Sequence, residues 1–285
     1  MKVSWFPGHM KKAQRLIRES LPLVDLVLML LDARIPGISR NEEIERITGG
    51  KPIIYILNKS DLAEEHATSR WCAFLRKEGS EALSLSSKTG SGYGHLKSVI
   101  ERQRRNVVKK RKSVGRLDES IRLLVLGIPN VGKSSLINSL AGKTQARVGK
   151  KPGVTRGFQW ISLPSHVELI DVPGIFYPRV DSDDDAWRLA ALGAVKEENF
   201  DIEEVAAALL SYLQLRGNAG LSDYSSMTPL DVLEALGRRS GFLEQGGVVD
   251  HRRAAASVLK KLRDGGWGPL TLEEPPAAEG SESAE

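Results

Sequence analysis

A mostly parallel α/β sheet followed by a small all-α domain is the fold class that this chain of 285 residues predicts. Three observations carry it. Apolar, β-branched or leucine-rich runs alternate with helical patterns as far as Pro178; a glycine-rich loop follows one of these strands; beyond Pro178 four amphipathic helices succeed one another without a strand between them.

The strands predicted are Val24–Leu31, Pro52–Leu57, Ala82–Leu85, Leu123–Gly127, Phe158–Leu163 and Val167–Ile170. Helical patterns cover Asn41–Ile47, Ala63–Lys77, His95–Lys110 and Lys133–Ala141. In the second half, "DSDDDAWRLAALGAV", "DIEEVAAALLSYLQ", "TPLDVLEALGRR" and "DHRRAAASVLKKLRD" are the helices. Thr228 with Pro229 behind it, and Asp201 and Asp250 ahead of apolar periodicity, mark helix starts, because a short polar side chain satisfies the first free N–H groups. Residues 1–178 are expected to form the sheet domain and 179–267 the helical one. Residues 268–285, rich in Pro, Ala, Ser and Glu, are expected to be a disordered acidic tail.

Composition narrows the function classes. A hydrophobic content of 41% allows a real core, and the single cysteine, Cys72, excludes an internal disulfide. No Cys/His cluster has zinc spacing, so the chain suits a reducing cytoplasm. The longest apolar run, "LPLVDLVLMLLDA", is interrupted by Asp25 and is too short for the ~20 residues of a bilayer span. The N-terminus lacks the apolar run and cleavage site of a signal peptide, so no membrane insertion is expected. Net charge is +5, and all five acidic residues from Gly268 onward stand without a compensating base, so the rest is more basic still. Such a balance suits either a polyanionic partner or plain solubility. Arg102–Arg116 ("RQRRNVVKKRKSVGR") holds eight basic residues and no acid, and reads as a solvated helix face or as an RNA-facing patch.

The chemistry lies in five short motifs. Gly127-x-x-x-x-Gly132-Lys133-Ser134 has the spacing of a P-loop and lies between a strand and a helix. There, backbone N–H groups cradle phosphates at a helix N-terminus. Lys133 would hold the β- and γ-phosphates and Ser134 would ligate Mg²⁺. Asn130, Val131 and Ser135 complete the nucleotide-facing run. In "HVELIDVPG", Asp171 would reach Mg²⁺ directly or through water, and the N–H of Gly174 the γ-phosphate. Thr155 in "KKPGVTRG" would be the second hydroxyl ligand of the metal.

Base choice falls to "NKSD". Guanine presents N1–H and its N2 amine side by side, and one carboxylate, Asp61, accepts from both. Adenine would leave that carboxylate desolvated and unpaired. Asn58 would reach N7, the Lys59 stem would pack along the base, and Ser86, Ser87 and Lys88 would close the pocket towards O6. These elements predict GTP and GDP as ligands, but their order is rotated: NKSD and SSK precede the P-loop. Taking Leu123–Gly127 as the first strand and Val24–Leu31 as the fourth places all six strands in the usual sequence. That is a circular permutation, with Arg102–Arg116 joining the old ends.

"WFPGHMKKA", "LDARIPGISRN", "NKSDL", "GIPNVGKSSLIN" and "KPGVTRG" together resemble the circularly permuted, Ras-like P-loop GTPases of TRAFAC type, and among them the ribosome biogenesis GTPase A, or YlqF, family. The resemblance implies a cytoplasmic GTPase, monomeric away from the ribosome, that binds the rRNA and proteins of the large (50S) subunit during its late assembly. The helical domain would then contact RNA. Ile175 follows Gly174 where many GTPases carry a water-orienting glutamine, so another group must position the water. His9 in "FPGHM" could do so, or could simply dock the N-terminus; with it, Lys133, Thr155 and Gly174 make the catalytic set. Asn130 resembles the asparagine of K⁺-responsive GTPases, or shapes its loop. The missing glutamine also leaves open a GTP-dependent RNA-binding scaffold that hydrolyses negligibly.

Overall fold

The computed structural model describes residues 7–77, 79–141, 147–149, 159–171 and 182–276. The chain divides into two compact units, one built on a sheet and one on helices.

The sheet unit holds strands β1 (Leu26–Asp32), β2 (Ile53–Asn58), β3 (Glu81–Ser84), β4 (Ile121–Gly127), β5 (Arg147–Gly149), β6 (Gln159–Leu163) and β7 (Val167–Asp171). Its helices are α1 (Pro7–Ser20), α2 (Pro36–Ser39), α3 (Glu42–Ile47), α4 (Glu65–Lys77), α5 (Tyr93–Lys112) and α6 (Lys133–Ala141). The strands lie in the order β3-β2-β1-β4-β7-β6-β5. The ladder is parallel from β3 to β7, and β6 and β5 are added antiparallel. Numbering from β4 as the first strand turns the six predicted strands into the order 6-5-4-1-3-2, one continuous sheet with the P-loop strand inside it. β5 is a seventh, three-residue strand that the sequence did not predict.

β1 reads LVLMLLD and is buried at every position, as a central parallel strand covered on both faces must be. Val27, Met29 and Leu31 share one face and pack in a cluster with Ile17 of α1 and with Trp71 and Leu75 of α4. α1 was not predicted: its sequence is mostly polar, and among its described side chains Ala13 and Ile17, one turn apart, are buried, with Leu16 packed against the edge of the core. Full burial of Ile17 stabilises this docking by about 1.5–3 kcal/mol.

The basic run is part helix and part connection. α5 extends through Lys112, two residues beyond the expected end, and a short stretch then joins it to β4; acids within α5 and elsewhere pair with several of its bases. Arg102 pairs with Glu81, Arg104 and Arg105 with Glu101, Arg111 with Asp25 and Asp118, and Lys112 with Glu119. One expectation needs correction: the tail is not disordered from Gly268 onward. Thr271 and Leu272 are buried, and Thr271 to Glu274 bond to the sheet unit. Burying Leu272 contributes about 1.5–3 kcal/mol that composition alone does not reveal.

The helical unit contains α7 (Asp183–Ala191), α8 (Ile202–Leu215), α9 (Pro229–Arg239) and α10 (His251–Arg263). Each starts where a cap places it. The side chains of Ser182, Asp201, Thr228 and Asp250 accept from N–H groups of their first turns, each such cap being worth about 1 kcal/mol. α8 is central, burying Ile202, Val205, Leu209 and Leu213 against the other three.

Candidate functional site: a guanine-nucleotide pocket

The parallel strands deliver the sequence motifs to one edge of the sheet. Leu30 of β1 lies beside Gly127 of β4, Asp32 beside Asn58, Leu57 beside Ser84, and Val125 beside Asp171. The P-loop, NKSD, SSK and the aspartate of DVPG therefore all leave from the carboxyl ends of neighbouring strands, where open α/β sheets bind ligands.

The P-loop turns tightly over β1. A Cβ on Gly127 would stand 2.7 Å from the Leu30 carbonyl oxygen, and one on Gly132 would collide with the Asn58 amide. Gly132 also has φ +103°, which an L side chain resists. Lys133 Nζ donates to the carbonyls of Gly127 and Ile128 at 2.8 and 3.0 Å, so its ammonium is held over the loop itself. Val131 is buried, whereas Ser134 and Ser135 are exposed in the first turn of α6. Asn130 is exposed with φ +58°, a left-handed turn that asparagine tolerates.

Asn58 does more than a base contact requires. Its Nδ2 donates to Val131 O at 2.7 Å, and its Oδ1 accepts from Ser87 N at 3.1 Å and Ser87 Oγ at 3.0 Å. One buried amide thus ties the P-loop to the SSK loop, while its second hydrogen keeps the capacity to reach guanine N7. Tyr93 Oη donates to Ser87 Oγ at 3.2 Å, and Ser86 Oγ accepts from Thr89 N at 3.1 Å. Lys88 is exposed at the rim. The bridging role of Asn58 and the support from Tyr93 carry no local sequence signal, since their partners lie in other motifs.

Lys59 has φ +61° and its Nζ reaches Asp32 Oδ2 at 3.0 Å. Asp32 is fully buried and also accepts from Arg34 Nε and Nη2, each at 2.9 Å. Burial pushes the Asp32 carboxyl up, but the charges and hydrogen bonds of Arg34 and Lys59 outweigh it and hold the group far below the usual carboxylate range. Lys59 is therefore aimed by a permanently ionised partner from the neighbouring strand. The aspartate of "LDARIPG" therefore fixes the position of the Lys59 side chain.

Asp61 is decisive. Its Oδ1 is buried, yet it has no hydrogen-bond partner among the described residues. A buried carboxylate oxygen left unpaired costs about 1–3 kcal/mol or more, so an orphan at the mouth of an NKSD turn marks a place for a donor. Guanine N1–H and N2–H are such donors.

Thr155, Gly174 and Ile175 lie outside the described residues, as do the side chains of His9 and Asp171. No group of three or more His, Cys, Asp or Glu side chains that could hold a metal occurs among the described residues.

Comparison with known proteins fits this geometry. The family described as "50S ribosome-binding GTPase" matches residues 122–224, beginning at β4, where a rotated chain places the start of an ordinary domain. Ribosome biogenesis GTPase A of Priestia megaterium is 38% identical, across 98% of this chain and 99% of its own. That of Bacillus cereus is 37% identical, across 96% and 95%. The chain belongs to the ribosome biogenesis GTPase A family. The crystal structure of GNP-bound YlqF from T. maritima superposes with a TM-score of 0.68 at 29% identity, covering 93% of this chain and 99% of that one. The fold is therefore that of a circularly permuted P-loop GTPase with a helical domain, and the chain is a guanine-nucleotide-binding GTPase of ribosome biogenesis. No helix among the described residues is long and apolar enough to cross a membrane.

Proposed function

We propose that this GTPase acts in the late assembly of the large (50S) ribosomal subunit, binding it in the GTP state and leaving after hydrolysis that the subunit stimulates. The orphan Oδ1 of Asp61, beside Lys59 and Asn58, carries the nucleotide half of this reading. The names borne by relatives across nearly the full chain carry the ribosomal half.

In the catalytic arrangement, Lys133 binds the β- and γ-phosphates, and the Gly174 N–H meets the γ-phosphate. Ser134, with Thr155 and Asp171, would hold Mg²⁺. The exposed Ser134 hydroxyl in the first turn of α6 suits that task, and the backbone of Asp171 ends its strand next to Val125 of the P-loop strand. The ion would neutralise charge developing on the phosphates. His9 sits in the first turns of α1, a helix anchored on the core through Ile17, and is assigned to orienting the attacking water. Asn130 is assigned to a K⁺ beside the phosphates.

The helical unit supplies the RNA contact. A cavity of about 310 Å³ lies between α9 and α10, lined by Leu236, Arg239, Phe242, Val258, Lys261 and Trp267 among others, with no acid in its wall. Lys261 Nζ stands 3.7 Å from the Trp267 ring centre, and Arg253 stacks 4.5 Å from that of Phe242. Cationic side chains with no acid beside them suit the phosphates of RNA, and an arginine plane is a surface on which an unpaired base stacks. Away from the ribosome the protein works as a monomer in the cytoplasm.

One set of measurements tests the proposal: GTP turnover with and without separated 50S and 30S subunits, in KCl and in NaCl, for the native chain and His9→Ala. The expected result is stimulation by 50S alone, greater in KCl, and largely lost with His9→Ala. Equal turnover with and without 50S would overturn the assembly role. Unchanged stimulation in His9→Ala or in NaCl would remove those two assignments singly.

A further inference from the structure

The sheet unit is completed by a piece of chain from far downstream. After the helical unit ends at Leu270, residues Thr271 to Glu274 lie against two loops, and both loops build the guanine pocket. The first is the turn after β1. Leu272 N donates to Arg34 O at 2.7 Å, and the Glu273 carboxylate accepts from Ile38 N at 3.1 Å and from Gly37 N. The second is the turn after NKSD. Thr271 N donates to Glu64 Oε2 and Glu64 N donates to Thr271 Oγ1, each at 3.1 Å. Trp71 Nε1 donates to Glu273 O at 3.4 Å, and Arg70 pairs with Glu274 at 2.9 Å, so α4 holds the far side.

Gly37 shows how close the approach is. A Cβ there would stand 2.7 Å from the Trp71 ring and 3.3 Å from both Glu273 carboxylate oxygens. The sequence at this turn has room for the segment and for nothing more.

The contacts fall where they matter for the base. Arg34, whose carbonyl takes Leu272, has its guanidinium on Asp32, and Asp32 holds Lys59. Glu64, which exchanges two hydrogen bonds with Thr271, is three residues beyond Asp61 on the same turn. We propose that Thr271–Glu274 is a positioning strap for the guanine pocket, clamping the Asp32–Ile38 and Ser60–Glu64 turns together so that Lys59 and Asp61 stay in register with the base. Because the strap begins one residue after the helical unit, retention of the nucleotide depends on a segment that this unit can load directly. The strap touches no nucleotide; it acts through the two turns. This goes beyond the assembly role proposed above, and its test contains no ribosome.

The test compares dissociation of fluorescent GDP and IDP from full-length chains. Inosine lacks the N2 amine, so the GDP-over-IDP preference reads the placement of Asp61, whereas general loosening of the protein speeds both alike. Glu273→Ala, which removes the acceptor for Gly37 and Ile38, is expected to release GDP roughly three- to tenfold faster and to narrow the preference. Glu273→Gln keeps an amide oxygen to accept those bonds and is expected to stay near the native rates. Thr271→Val keeps the buried shape, loses the bond from Glu64 N, and is expected to follow Glu273→Ala. Native release rates in both Glu273→Ala and Thr271→Val would overturn the strap, as would an equal acceleration of GDP and IDP.

Discussion

At the scale of single residues, the pocket is a set of side chains whose polar groups are nearly all spoken for. Asn58 spends its oxygen on Ser87 and one hydrogen on Val131; Lys59 is on Asp32; Lys133 is on its own loop. Against that background the unpaired Oδ1 of Asp61 stands out, and it is the acceptor we assign to the base. Replacing it by asparagine exchanges an acceptor for a donor. Asp61→Asn is expected to weaken GTP binding by roughly a hundredfold or more, since two hydrogen bonds to a charged group, worth about 1.5–3 kcal/mol each, are lost. The new amide should favour xanthine, which carries a carbonyl where guanine has its amine. Competition titration with GDP and XDP checks this, and an unchanged preference for GDP would mean that Asp61 does not read the base. Asp61 was legible in the sequence because its motif is local. The link from Lys59 to the local Asp32–Arg34 pair was not, because it depends on the register of β1 beside β2, a property of the sheet and not of either segment.

At the scale of elements, the sequence located all six of its strands to within a few residues, because parallel core strands are continuous apolar runs. It missed β5, three residues long and paired on one side only, and α1, whose sequence is mostly polar with few apolar positions for the core. The Thr271–Glu274 segment was read as tail for the same kind of reason: its stability comes from partners some two hundred residues away. Charge is less simply read. α5 has the densest run of bases in the chain, yet Glu81, Glu101, Asp25, Asp118 and Glu119 neutralise most of that surface. The cavity between α9 and α10 has fewer bases and no acid in its wall. Counterion release follows unpaired cations, so the salt dependence of RNA binding separates the two elements. Arg239→Gln with Lys261→Gln should weaken binding to 23S rRNA fragments and reduce the salt slope by about 1–2, while Arg102→Gln with Arg105→Gln should leave the slope unchanged. The opposite pattern would move the RNA surface to α5.

At the scale of the whole molecule, permutation changes what the helical unit is attached to. In chain order it follows the DVPG motif and precedes the strap, so both of its connections lead to segments of the sheet unit. Each unit nevertheless has its own core. Val27, Met29 and Leu31 centre one; Val205, Leu209, Leu233 and Leu259 centre the other. Two cores predict two unfolding transitions in calorimetry of the full chain. The nucleotide contacts belong to the sheet unit, so ligand linkage should act there. GDP at about a hundred times its Kd adds ~2.7 kcal/mol to the unit that binds it. At about 2–4 °C per kcal/mol for a unit of this size, that corresponds to a rise of about 5–11 °C in the sheet transition, with the helical transition left in place. If both transitions rise together, the two connections transmit the binding energy and the helical unit is not thermodynamically separate. If Glu273→Ala then restores the independent helical transition, the route of that transmission is the strap and not the connection after DVPG.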